Sequence, residues 1–239
     1  MPKPNLVIIT EGQTETRALP ELLAAHLRSF GWEPIFPTIG RPGAAKGGSK
    51  NFEILLDNIK FSALQHRACY ISTFFDYYGL NIAWPGVSEA KAASNANYRQ
   101  RLVSIEDRLA KEVEERISRN VLWHGHFIPH IQPHEFEALL LSLPDETAFA
   151  LSSSHPDVSV DDLAGKLKNI VANFNSCEEI NDSYDTAPSR RLASLTPYRK
   201  GKSSGAHAWQ IFQRGKLESV RQACPHFSAW LSKLEGLEK

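Results

Sequence analysis

The stretch that most limits the fold is NLVIIT, Asn5 to Thr10. It is an unbroken apolar run rich in β-branched residues, which predicts a strand buried on both faces, as in a parallel sheet. A parallel sheet needs crossovers, and the chain supplies them. TETRALPELLAAHLRSFG places Leu19, Leu22, Leu23, Leu27 and Phe30 at helical spacing, with Gly31 as a C-cap. EPIFPTIG reads as a second strand whose prolines suit an edge. RPGAAKGGSK reads as a Gly-rich basic loop, NFEILLDNIKFSALQ as a helix, and CYISTFFD as a strand ending at Asp76. HFIPHIQ is a further strand candidate. This alternation predicts an α/β domain with a mostly parallel sheet flanked by helices.

From Ser152 the pattern turns to helices and loops, so residues 1–150 read as the α/β core and 151–239 as a mainly helical extension packed on it. With 42% hydrophobic and 23% charged residues, the 239-residue chain has ordinary globular composition. Lys+Arg and Asp+Glu both number 27, so any nucleic-acid role must rest on local basic patches. Cys69, Cys177 and Cys224 are odd in number and widely spaced, which argues against a disulfide framework or zinc ribbon and suits a reducing cytosol. No signal-peptide pattern opens the chain and no apolar run approaches a membrane span, so the expectation is a cytoplasmic protein with no membrane partner.

In an open α/β sheet, ligands bind beyond the carboxyl ends of the strands. Acidic residues fall at three such ends: Glu11 after the first strand, Asp76 after the third, and Glu135 and Glu137 after the fourth. Carboxylates gathered in one cleft repel each other unless a cation sits among them or some are protonated. Oxygen-only ligands favour Mg²⁺ or Mn²⁺, ions that act on phosphates. Each position also has a plainer reading. Glu11 and Glu15 would favour a helix N-terminus, Asp76 would be a turn residue, and Glu135 and Glu137 would be an acidic first helical turn.

GAAKGGSK lacks the Gly-Lys-Ser/Thr order of a nucleotide-binding P-loop, though Lys46 and Lys50 could touch a nucleic-acid backbone. His124, His126, His130 and His134 lie even numbers of residues apart, so a continuous strand would put them on one face where His-x-His can bind zinc, but Pro129 and Pro133 interrupt the strand. His134, beside Glu135, could act as an acid or base. SRRLASLTPYRKGKSSG places Arg190, Arg191, Arg199, Lys200 and Lys202 near a tyrosine, which suits phosphate contact and base stacking. EDRLAKEVEERISR reads as a solvated helical face without function.

VIITEGQTE, ISTFFDYYGL and IQPHEFEALLLS, followed by APSRRLASLTPYRKGKSSG and VRQACPHFSAWLSKL, resemble in order and spacing a bacterial Toprim-related family, the domain-of-unknown-function family numbered 4276, itself similar to RloB-like proteins. The resemblance implies a Toprim-like sheet carrying a metal-dependent phosphodiester-cutting site. It matches Glu11 to the Toprim glutamate and Asp76 to the first aspartate of an Asp-x-Asp pair. Tyr78 stands where the second aspartate would be, so Glu135 or Glu137 would have to complete the metal site. Glu137, inside FEALLL, is the first choice. In a helix, side chains two apart face opposite ways, so both glutamates would reach the site only through extended backbone. The resemblance further implies a role in phage defence beside an ABC-type or AAA-type ATPase partner. The competing expectation is a non-catalytic module that binds such an ATPase or a nucleic acid.

Overall fold

The structure, a computed structural model, describes residues 5–40, 51–93, 96–153, 157–181, 184–196, 198–201 and 204–238. The first part of the chain runs β1 (Asn5–Thr10), α1 (Gln13–Ser29), β2 (Glu33–Ile35), α2 (Phe52–Gln65), β3 (Tyr70–Asp76), α3 (Val87–Ala92), α4 (Tyr98–Arg116), β4 (Phe127–Ile128), β5 (Ile131–Gln132) and α5 (Glu137–Leu141). Six helices follow: α6 (Pro144–Ser153), α7 (Val160–Val171), α8 (Pro188–Leu195), α9 (Ser204–Arg214), α10 (Leu217–Ala223) and α11 (Pro225–Glu235).

The strands lie in the order β2-β1-β3-β4, and β5 also pairs with β3. Every pairing is parallel, with Leu6 opposite Tyr70 and Thr10 opposite Phe74 in the central pair. The short, proline-containing β2 is at the edge, where a missing N–H costs no ladder bond. The predicted fourth strand is broken at Pro129 into β4 and β5, both still running alongside β3.

Alternation along β1 explains its unbroken apolar character. Leu6 and Ile8 point into one core with Leu19, Leu23 and Leu27 of α1. Val7 and Ile9 point into a second core with Leu55, Leu56 and Ile59 of α2 and Leu102, Ile105 and Leu109 of α4. Both faces of the strand are therefore dry. Each buried leucine is worth roughly 1.5–3 kcal/mol, so α1 alone holds tightly to its face.

The C-terminal helices share the α1 core. Leu163, Ile211, Phe227, Trp230, Leu231 and Leu234 are continuous with Leu6 and Phe74. Helix α9 lies along α1, and the Trp230 indole of α11 donates to Ser72 Oγ of β3 at 2.9 Å. Among the described residues, no helix is long and apolar enough to cross a membrane.

Candidate functional site

Because the strands are parallel, β1, β3 and β5 deliver their carboxyl ends to one edge of the sheet. Glu11 leaves β1 with its backbone N–H still bonded to Phe74 O at 3.1 Å. Its Oε2 accepts the backbone N–H of Asp76 at 2.9 Å, so the two strand-end acids are tied together directly. Gly79 makes room for this: a Cβ there would stand 2.4 Å from Glu11 Oε1. Asp76 Oδ1 in turn accepts the N–H of Phe136 at 2.7 Å, which fixes the turn that carries Glu135 and Glu137.

That turn differs from both conformations weighed from the sequence. His134 is left-handed, with φ of 58°, and α5 begins only at Glu137. Glu135 therefore precedes the helix and Glu137 opens it, and both side chains reach the same centre. Glu135 Oε1 and Glu137 Oε2 each lie 3.3 Å from Lys200 Nζ. The rule that residues two apart diverge holds inside a helix, and this pair straddles its start. His134 itself is pulled down to about 4 by burial, so it is neutral at physiological pH.

Lys200 has a place the sequence did not suggest. Read as a phosphate-contacting side chain, it instead reaches inward, with Nζ 2.9 Å from Asp76 Oδ2 as well as against the two glutamates. Tyr198 is buried too, its hydroxyl donating to Glu137 Oε1 at 2.8 Å, and so it is not exposed for base stacking as the sequence reading expected. Glu135 Oε2 accepts the N–H of Ser189 at 2.9 Å, at the start of α8. The basic C-terminal segment thus closes over the acidic cluster.

Glu15 is the member that sequence reasoning missed. Its sequence position suits a helix-dipole acid, yet in the first turn of α1 it is 5% exposed and lines the cleft with Glu11, Asp76, Tyr78 and Lys200. Burial, with Asp76, Glu11 and Glu137 nearby, pushes its carboxyl up to about 8. Burial pushes Glu137 up to about 7 against the pull of Lys200, and Asp76 is raised for the same first reason. Burial alone would lower the Lys200 ammonium, but Asp76, Glu137 and Glu135 overrule it and hold it charged. One ammonium thus meets Asp76, Glu135 and Glu137, all buried, with the buried Glu15 lining the same cleft.

The buried Glu137 Oε2 is near Lys200 but outside hydrogen-bonding geometry, and it has no donor. A cluster whose acids all offer oxygen, with one carboxylate oxygen orphaned, fits a hard divalent cation such as Mg²⁺, whose arrival would release the protons these acids hold. The cleft has a volume of about 470 Å³, and Gly12, Gln13 and Thr14 at the start of α1 also line it.

Arg191 donates to Thr186 O at 2.8 Å and lies over the Phe174 ring, while Arg190 and Arg199 are exposed. Lys46, Lys50 and Lys202 lie outside the described residues.

A family profile described as "Domain of unknown function (DUF4276)" matches residues 10–235. No curated protein matches the chain. Among solved structures, the C-terminal region of the Burkholderia pseudomallei OLD protein is similar at 16% identity and a TM-score of 0.43, over 94% of this chain and 98% of that one.

Proposed function

The chain belongs to the DUF4276 family, and since that family is described only as a domain of unknown function, we propose from the cleft itself that the protein is a Mg²⁺- or Mn²⁺-dependent nuclease cutting phosphodiester bonds. The observation that carries this reading is the convergence of Glu11, Asp76, Glu135 and Glu137 from three strand ends, joined by Glu15. Asp76 and Glu137 would hold the ion, with Glu11 and Glu135 completing the set. Once bound, the ion would supply charge neutralisation at the phosphate and activation of a water.

The protein's own groups would do the rest. Glu15, held up to about 8, exchanges its proton near neutral pH and is suited to take one from an attacking water. Gly12, Gln13 and Thr14 at the start of α1 offer backbone N–H groups to a phosphate, favoured by the helix dipole. Lys200 rides on a side chain that is 45% exposed, so it can swing from the carboxylates to a phosphate oxygen when a cation takes its place. The implied ATPase partner and phage-defence role belong to the same proposal.

The test is cleavage of plasmid DNA and structured RNA with and without Mg²⁺ or Mn²⁺. Glu11→Gln and Asp76→Asn should each lower metal-dependent cutting by roughly 100-fold or more. Unchanged cutting in either variant would overturn the assignment. A second reading, a non-catalytic module that binds an ATPase or nucleic acid, is favoured by the seating of Lys200 on three carboxylates. It predicts no cation binding at the cleft and no cutting.

A further inference from the structure

A second polar cluster shares no residue with the cleft. It lies where α4, the break between β4 and β5, and the start of α11 meet. Glu106, His130 and His226 are each buried there, and their candidate donor atoms all lie within 4.8 Å of one another. Glu106 Oε1 is 2.9 Å from His226 Nε2 and 3.6 Å from His130 Nδ1, and it also accepts the N–H of Ile131. The sequence reading placed Glu106 on a solvated face, but the structure buries it.

The hydrogen bonds around His130 are the informative part. Its Nε2 stands 3.3 Å from the amide oxygen of Gln132, and with the amide in this orientation the oxygen accepts and Nε2 carries the proton. In that tautomer Nδ1 is a bare lone pair, completely buried and without a hydrogen-bond partner among the described residues. It faces a carboxylate oxygen. Two electron-rich atoms facing each other in a dry site repel unless a cation lies between them. The ring is held in this orientation by Trp230, stacked at 4.6 Å, and by His226 at 5.2 Å. Burial, with His226 beside it, keeps His130 in the neutral form that a metal requires.

The spacing suits a small ion. Metal–ligand bonds of about 2.0–2.1 Å in a tetrahedron put neighbouring donors roughly 3.3 Å apart, and the separations of 2.9 and 3.6 Å bracket that value. Two imidazoles and a carboxylate select a borderline metal over Mg²⁺. Gln132 plays the part of the outer group that fixes a histidine ligand's tautomer. We propose that Glu106, His130 and His226 bind a transition-metal ion of the zinc class, which fastens the start of α11 to α4 and the sheet.

The test is elemental analysis of the full chain, purified without a metal-affinity tag or chelator, with X-ray absorption at the metal edge. The expected result is about one zinc per chain with imidazole scattering. Asp76→Asn should keep the metal, which separates this site from the cleft, while Glu106→Gln should lose it. Because Glu106→Gln could fail to fold, the wild-type protein is also stripped with dipicolinate. Its melting temperature should fall, and Zn²⁺ but not Mg²⁺ should restore it. Absence of bound transition metal together with no Zn²⁺-dependent shift would overturn the proposal, a proton and a reoriented Gln132 amide then holding the cluster. Bound zinc without imidazole scattering would overturn it as well.

Discussion

Lys200 Nζ stands 2.9 Å from Asp76 Oδ2, a contact between residues 124 apart in sequence that also brings the ammonium to Glu135 and Glu137. The lysine serves as the cluster's counter-charge and occupies the region where a divalent cation would sit. The two should therefore compete, and Lys200→Met isolates that competition. Removing the ammonium should destabilise the metal-free protein by about 1–2 kcal/mol, below the cost for a fully buried pair because the side chain is partly exposed. The stabilisation gained from Mn²⁺ should be larger in the variant than in the wild type, as read by thermal melts with and without the ion.

Stability should depend on pH in a direction opposite to that of salt-bridged acids. An unfolded glutamate titrates near about 4.3, whereas folding holds Glu137 up to about 7 and Glu15 up to about 8. The native state therefore keeps protons that the unfolded chain releases, and stability falls as pH rises from roughly 4.5 to 8. Melts of the metal-free protein at pH 5.5 and 8.5 should differ by on the order of 5 kcal/mol, the sample at pH 5.5 being the more stable. Saturating Mg²⁺ should flatten the difference.

Glu15→Gln removes one ionisable member while keeping its shape. At alkaline pH, where the wild-type carboxyl is charged and repelled by Asp76 and Glu11, the variant should melt higher without metal. Metal-dependent cutting should fall in the same variant. A rise in melting temperature paired with a loss of activity is the outcome expected of a site that stores repulsion.

Gly79→Ala tests the close approach at Glu11. The added methyl would meet Glu11 Oε1 at 2.4 Å, so the carboxylate must leave the backbone N–H of Asp76. Mn²⁺ affinity measured by titration calorimetry should drop roughly tenfold or more, since one lost charge-assisted hydrogen bond is worth about 1.5–3 kcal/mol. The fold should persist.

Much of this arrangement is written locally. β1 reads as a buried parallel strand because both of its faces are apolar, β3 follows from the strand–helix alternation, and the acids at their ends mark the ligand-binding edge. Glu15 was the harder case. Four residues past Glu11 it resembles any acid in a first helical turn, and only the path from β1 into α1 turns it toward Asp76. Glu106 carried a readable signal, since Leu102, Glu106, Leu109 and Val113 form one helical stripe whose other members are buried. The inward placement of Lys200, Tyr198 and His226 left no local trace, because these partners lie 61 to 124 residues away and are met only when the C-terminal helices close over the sheet.

The most direct test of the cleft is anomalous diffraction from crystals soaked in Mn²⁺. The account predicts a peak bonded at roughly 2 Å to Asp76 and Glu137, with Glu11 or Glu135 completing the shell and the Lys200 ammonium displaced. No peak at saturating Mn²⁺, with Lys200 still seated on Asp76, Glu135 and Glu137, would contradict it.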